Sequence, residues 1–386
     1  MTVEAESIIA DFKFENRSLT YSRTPLAITP EEWRQLGELA SCVWASTDSV
    51  LKKWAADRSL PVWVRDSYAE AVPRIQEDLA RDSDDGYIDY MRLDLAWDTK
   101  GRPRVLELNT ACPAGWVLAS QAFDLGLGEN TENSLAPGVD TFTDYLSSRL
   151  GNRIAFITMG SDLSAELDSF ATILQRRGIE VSIIDPLLEG NTAVHRFAPS
   201  GLYWKTKPFR IIENWTQAQQ LMSQYLSIAN VTAMQVTEDK RFLEHLSETP
   251  AGVHVAETLG VQGGACAEVK RRGWEDIVVK PSNSTRGIGV KFHSMSELGP
   301  NSLTEMSPAS VIQPRYSMRR AADGYGDLAL YILRGQLVGA IARVSNSQVV
   351  NVGAGGGLQP ILRLTSGRVV NADRLPSQPS ALAPSP

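Results

Sequence analysis

The chain has 386 residues, more than one hydrophobic core usually covers, so two or three units are expected. Its net charge of -7 argues against a nucleic-acid partner, and no stretch is long and apolar enough to span a bilayer. Three separated cysteines, Cys42, Cys112 and Cys266, form no CxxC pair and suggest neither zinc nor a disulfide framework; reduced thiols in a cytoplasmic protein are the expectation.

The acidic start, MTVEAESIIADFKFE, lacks the apolar run of a signal peptide. Thr29-Pro30-Glu31-Glu32 is a capping box with proline at the first helical position. Trp33, Leu36, Leu39, Ala40, Val43 and Trp44 follow at helical spacing, which predicts a helix over 29–57. A second helix is expected from Asp66 to Ala80, kinked or split by Pro73. Trp33, Trp44, Trp54 and Trp63 read as core rather than as a binding platform.

Tyr87 to Gly115 reads as a hairpin. Alternation puts Arg92 and Asp94 on one face of the first strand, and Glu107 and Asn109 on one face of the second. Asp98-Thr99-Lys100-Gly101 supplies the turn. A register with Asp94 across from Glu107 makes one polar patch of Arg92, Asp94, Glu107 and Asn109. Two carboxylates about 5 Å apart repel unless a cation lies between them, and two carboxylates with an amide oxygen are the hard donors that Mg²⁺ takes. The plainer reading is a half-exposed hairpin with its charges in water.

A helical or irregular stretch is expected over 116–150. RIAFITM from Arg153 reads as a buried parallel strand, Ser161-Asp162 as the cap of a helix ended by Gly178, and IEVSIID as the next strand. This βαβ unit has no GxGxxG turn, so a structural layer is preferred to a dinucleotide site. Leu202-Tyr203-Trp204 and Arg210-Ile211-Ile212 are expected to continue the sheet. Thr237 to Ser247 reads as a helix with Glu238, Asp239 and Lys240 in its first turn. The Gly- and Ala-rich run from Val253 to Val269 has no clear assignment.

Asp276 to Pro281 is a strand ending in Lys280. The SNSTRGIG loop follows, and the chain resumes as a strand at Val290. One fixed cation beside a glycine-rich loop offers a charge and free backbone N–H groups to phosphate oxygens, with Gly287 and Gly289 allowing close approach. Most such loops are simple turns. Ser310 to Tyr316 follows, and Asp327 to Ile341 reads as a hairpin around Arg334-Gly335. Arg343 on an apolar strand needs an anionic partner, either a ligand or a carboxylate of the fold. A glycine loop, 353–357, precedes a last strand, LQPILRL, and the tail from Pro376 is expected to be disordered. No GxSxG or HExxH occurs, and the four histidines show no ligand spacing.

The order R-x-D, E-x-N after a short turn, and much later K-P-x(4)-R-G-x-G resembles the circularly permuted ATP-grasp enzymes. The nearest family is the synthetase part of glutathionylspermidine synthetase and its relatives. Leu328 to Arg343, Asn351 with its glycine loop, and Leu358-Gln359-Pro360 are similar to that family's final hairpin, arginine and closing strand. The likeness runs over roughly 87–370, in pattern only through the middle layer.

The resemblance implies an α/β (α+β) chain: a circularly permuted ATP-grasp core with a pre-ATP-grasp α/β layer and a lid subdomain. Residues 1–150 would hold the N-terminal helices and the metal hairpin, 151–235 the α/β layer, 236–315 the lid, 316–370 the rest of the core and 371–386 a disordered tail. It implies that Asp94, Glu107 and Asn109 hold Mg²⁺ and that Arg92 faces the transferring phosphoryl group or the acyl phosphate. Lys240 and Lys280 would contact ATP phosphates under a lid of Ser284, Thr285, Arg286, Gly287 and Gly289. Gln313, Arg315 and Tyr316 would belong to the hinge against adenine, and Arg343 would stabilise γ-phosphate charge.

The activity implied is an ADP-forming carboxylate–amine ligase with ATP and Mg²⁺, acting through an acyl phosphate on an amino acid or small peptide. The partners would be a small carboxylate and a small amine, with a homodimer as the candidate assembly and neither nucleic acid nor membrane involved. Activation of an enol oxygen, or nucleotide binding without catalysis, are the alternatives; a nicotinamide oxidoreductase lacks its glycine fingerprint. The family's thiol amidase domain is missing, and nothing matches its glutathione or spermidine contacts, so those substrates do not carry over.

Overall fold

The computed structural model describes residues 7–14, 17–22, 24–80, 86–111, 115–127, 134–160, 164–228, 230–261, 264–284, 287–298, 309–321, 324–346 and 356–364, with single residues 302, 307 and 350. Thr285, Arg286, Ser161-Asp162, Cys112, most of the 353–357 loop and the tail lie outside them.

The long helix Pro30–Asp57 forms as its start signal dictates. Thr29 Oγ1 accepts the Glu32 N–H at 3.1 Å, and the Glu32 carboxylate accepts the Thr29 N–H at 2.8 Å. Its buried stripe, including Leu36, Leu39, Val43, Val50 and Leu51, packs on the main core with Trp54, while Trp33, Trp44 and Trp63 pack partly buried against it. The helix expected over 66–80, kinked or split by Pro73, is split and starts earlier, as Val62–Ser67 and Val72–Leu79. The break precedes Pro73, which sits in the first turn of the second helix, where its missing N–H costs nothing.

The main sheet is built mostly from two hairpins laid side by side. Tyr90–Trp97 pairs with Pro103–Asn109 on one side and with Gly324–Leu333 on the other, and Gly324–Leu333 pairs with Gln336–Ser345. At the second turn Arg334 and Gly335 both have positive φ, 48° and 78°, the conformation a two-residue hairpin turn requires. Gly357–Gln359 joins the far side, followed by Arg17–Ser22 and Ser7–Phe14 from the chain start, a region for which no strand was expected. The closing stretch LQPILRL is not one strand: Pro360 separates Gly357–Gln359 from Ile361–Arg363, which pairs with Leu26–Ile28 in a separate two-stranded sheet.

A second layer is parallel. Arg153–Ile157, helix Ser164–Arg176 and Glu180–Ile184 form the expected βαβ unit, with Gly201–Trp204 and Leu226–Ile228 on the other side. Arg210-Ile211-Ile212 does not extend this sheet. It lies in helix Pro208–Glu213, where Ile211 packs into the layer's own core with Trp204, Trp215 and Leu221. The stretch 116–150 is helical at Trp116–Leu127 and Val139–Leu150.

The third unit is a small antiparallel sheet in the order Leu259–Gly260, Ser310–Pro314, Asp276–Pro281, Lys291–Ser294. With helix Ala265–Arg271 it encloses a core of its own from Val261, Val269, Trp274, Ile277, Val279 and Ile312. The helix expected over 237–247 is replaced by Val231–Glu238 and Phe242–Ser247. Asn230 Oδ1 accepts the Ala233 N–H at 2.8 Å and so starts the first helix earlier, leaving Asp239 to Arg241 as the junction between the two. Among the described residues no helix is long and apolar enough to cross a membrane.

Candidate active site

The face of the main sheet looks across a cleft of about 490 Å³ towards the small antiparallel sheet. Alternation within Asp276–Pro281 explains the second wall: Ile277 and Val279 enter the small core, so Val278 and Lys280 turn to the cleft. Gln313, paired with Val278 in the ladder, joins them. Asp94, Glu107, Lys240, Lys280, Ser284, Gly287, Gln313, Arg315, Tyr316 and Arg343 all line this cleft. Arg92 and Asn109 are paired one step further along the hairpin and do not line it, nor does Gly289.

The hairpin register places Asp94 opposite Glu107, as the patch requires. A bulge makes this so: Leu106 is left unpaired, and its carbonyl accepts an N–H from Gln313 Nε2 at 3.3 Å. The second hairpin repeats the device. Val338 drops out of the ladder, and beyond it Asp327 faces Arg343. Arg343, Asp327, Asp94 and Glu107 thus come from four neighbouring strands.

Each carboxylate has a cation. Asp94, only 3 % exposed, receives Arg92 Nε at 2.9 Å and Arg343 at 3.0 Å. Burial pushes its carboxyl up, but Arg343 and Arg92 outweigh burial and hold it well below the usual carboxylate range. Arg343 Nε also donates to Asp327 at 2.9 Å. Burial still pushes Asp327 up to about 6, with Asp94 nearby adding to the effect. Lys240 Nζ lies 3.2 Å from Glu107 and donates to the Ser284 carbonyl at 2.8 Å. Lys280 is drawn down to about 8, first by burial and also by Lys240, while Glu107 and Asp94 pull the other way.

Asp239, beside Lys240, is an anchor that the sequence placed only in the first turn of a helix. It is 1 % exposed and accepts from Arg241 Nε at 2.9 Å, the Tyr68 hydroxyl at 2.9 Å and Ser282 Oγ at 3.3 Å. The Lys240 N–H donates to the Ser282 carbonyl at 2.9 Å. The lysine and the start of the glycine loop are therefore tied to each other and to the N-terminal helices.

Asp327 was missed as a site residue. Its signal was an aspartate opening an apolar strand in the same hairpin as Arg343. Phe292 and Met318 add apolar surface to the cleft, and Arg315 lies over the Phe292 ring at 5.5 Å.

Magnesium takes hard oxygen donors. Asp94 and Glu107 supply carboxylates and Asn109 an amide oxygen; the buried Nδ2 of that carboxamide has no partner among the described residues. This donor set fits Mg²⁺ in kind, with Arg92, Arg343 and Lys240 balancing the charge in its absence. Among the described residues no group of three His, Cys, Asp or Glu side chains stands close enough to hold a metal ion.

No protein-family model matches the chain, and no curated protein matches it. Among solved structures it is similar to one described as the crystal structure of D-cycloserine synthetase DcsG. The identity is 16 %, covering 54 % of this chain and 91 % of that one, with a TM-score of 0.33. A likeness that slight bears on neither fold nor activity.

Proposed function

We propose that this chain is an ATP-dependent carboxylate–amine ligase built on a circularly permuted ATP-grasp core, with the small antiparallel sheet as its lid. The observation that carries this reading is the convergence on one cleft of two opposed carboxylates, two lysines, an arginine and a glycine loop from three separate parts of the chain. Phosphoryl transfer asks for such a set, since it relies on positioning and charge neutralisation rather than on a protein nucleophile.

ATP enters as a substrate, its phosphates held by Lys240, Lys280 and the N–H groups of the loop around Gly287 and Gly289. The base lies between Val278, Phe292, Gln313 and Tyr316. Asp94, Glu107 and Asn109 would hold Mg²⁺, which when bound neutralises phosphate charge. Arg343 stabilises charge on the γ-phosphoryl group as it moves, and Arg92 orients the acceptor. Transfer of the γ-phosphoryl group to a substrate carboxylate gives an acyl phosphate and ADP, and an amine then displaces phosphate to form the amide. An amino acid or small peptide is the substrate class proposed.

Trapping tests this reading. Wild type with Mg·ATP, N-acylated amino acids tested singly as the carboxylate, and hydroxylamine should release ADP and form a hydroxamate without any other amine. ADP release in step with substrate loss, but without hydroxamate over a range of hydroxylamine concentrations, would replace the carboxylate with an enol oxygen as the group activated.

A further inference from the structure

The polar row on the first hairpin continues past the cleft. Asp94 and Glu107 line the cleft, and Arg92 and Asn109 form the next opposed pair. Two residues beyond Asn109, the Ala111 N–H donates to the carboxylate of Glu238 at 2.8 Å. Glu238 closes the helix Val231–Glu238, and its neighbour Thr237 has a hydroxyl 2.7 Å from that of Thr110. The helix end is therefore fixed against the continuation of the strand, and the carboxylate is held at the end of the row. Asn109, along the strand between Glu107 and Ala111, carries a buried Nδ2 that has no partner among the described residues. The row thus ends in the Glu238 carboxylate, to which the nucleotide and metal sites give no role.

We propose that Glu238 is the general base for the amine step. The inference rests on the ligase reading. Glu238 does not line the nucleotide cleft but lies near enough to Arg92, Glu107 and Lys240 for their charges to act on it, so the amine step is assigned to this side, past Arg92 and Asn109. As its nitrogen attacks, the C–N bond forms and the bond from the acyl carbon to the phosphate oxygen breaks. Phosphate leaves with the electron pair, and the surplus proton on nitrogen passes to the Glu238 carboxylate.

The surroundings suit this role. Burial raises the Glu238 carboxyl, the Ala111 N–H and Lys240 lower it, Glu107 raises it and Arg92 lowers it, and the balance pushes it up to about 7. A base poised near neutral pH can both take a proton and give it back to solvent between turnovers.

The experiment is a competition. Wild type, Glu238→Gln and Glu238→Asp are each incubated with magnesium, ATP, hydroxylamine and a mixture of the twenty amino acids, and mass spectrometry reads amide and hydroxamate in the same tube. Hydroxylamine is a neutral nucleophile at neutral pH, whereas an amino acid arrives as an ammonium ion and must lose protons. Glutamine keeps an acceptor for the Ala111 N–H but takes no proton, so the ratio of amide to hydroxamate should fall about 100-fold, the lower end of the usual range for a general base. Aspartate should restore part of the ratio. An unchanged ratio in Glu238→Gln, or amide and hydroxamate lost in equal proportion, overturns the assignment while leaving the ligase reading in place. A wild type that releases no ADP and forms neither product removes the ligase reading, and this inference with it.

Discussion

Asp94 lies directly across the antiparallel ladder from Glu107, yet the two carboxylates live in different surroundings. Asp94 is enclosed by Arg92 and Arg343, while Glu107 keeps a side chain 31 % exposed and, among the described residues, an ion pair with Lys240 alone. Removing either charge should stop turnover if both hold magnesium, but the structural cost should differ. Asp94→Asn takes an anion from the buried Arg92 guanidinium and leaves Arg343, among the described residues, with Asp327 alone, and should destabilise the fold by about 3 kcal/mol. Glu107→Gln should cost about 1 kcal/mol or less. Denaturant melts together with ADP release check this; near-normal ADP formation by either variant would remove that residue from the site.

Lys280 gives a pH-dependent prediction. Burial makes the ammonium form costly, so its folded pKa of about 8 lies below the unfolded value. The unfolded chain therefore binds more protons than the folded one above pH 8, and this lysine's contribution to stability improves as pH rises from about 8 to about 10. A bound triphosphate favours the charged form and reverses the shift. Binding of a non-hydrolysable ATP analogue at pH 8.5 should then take up close to one proton, read by calorimetry in two buffers of different ionisation enthalpy. Lys280→Gln should bind more weakly and take up none, and equal uptake by wild type and variant would place Lys280 away from the phosphates.

The glycine loop should respond to nucleotide unevenly. Its start is pinned, since the Ser282 N–H donates to the Ala309 carbonyl at 2.8 Å and the Ser284 carbonyl accepts from Lys240. Among the described residues, Gly287 to Val290 has one backbone–backbone hydrogen bond, from the Val290 N–H to the Gly287 carbonyl at 3.3 Å, and the Ile288 carbonyl accepts from Ser284 Oγ at 3.0 Å, so no N–H from Gly287 to Gly289 is held. Hydrogen exchange should therefore slow on nucleotide binding at Gly287–Val290 and change little at Ser282. Gly289 has φ of 77°, and a Cβ there would stand 2.7 Å from Pro281 Cγ, so Gly289→Ala should strain the loop by about 1–3 kcal/mol and weaken analogue binding. Equal protection with and without nucleotide would make the loop a plain turn.

Asp239 should matter more than its surface-like sequence context suggests. Asp239→Asn leaves the Arg241 guanidinium without its anion and weakens the bonds to Tyr68 and Ser282, at a cost of about 2–4 kcal/mol. Tyr68→Phe removes one neutral donor and should cost about 1 kcal/mol. Thermal melts give the order, and analogue affinity should fall with Asp239→Asn because Lys240 and Ser282 lose their shared anchor. A milder effect from Asp239→Asn than from Tyr68→Phe would contradict the network.

Much of the local structure was legible because its causes are local. The Thr29 box, the Asp98–Gly101 turn, the Arg334-Gly335 turn and the period-2 faces each act within a few residues, and each forms where the residues require it. The cleft-facing positions of Lys280 and Gln313 follow from the same alternation once the small core is known. The failures have equally definite reasons. Arg210 to Ile212 has strand-like composition, but the parallel layer needed an apolar helical face there, and burial outweighed propensity. The helix assigned to 237–247 missed the Asn230 cap, so Glu238 was read as a helix start when it is a helix end.

The sequence by itself determined which charged residues lie on which strand faces, because the side-chain period of a strand is a property of the backbone. Only the tertiary structure decided which of them meet. In both hairpins one residue leaves the ladder, Leu106 in the first and Val338 in the second, and without those bulges Asp94 would face Leu106 and Asp327 would face Ala342. A bulge costs a local hydrogen-bond pair and is stabilised by contacts from elsewhere, as when Gln313 from the opposite sheet bonds the Leu106 carbonyl. Such contacts join residues far apart in the chain, and no local pattern encodes them.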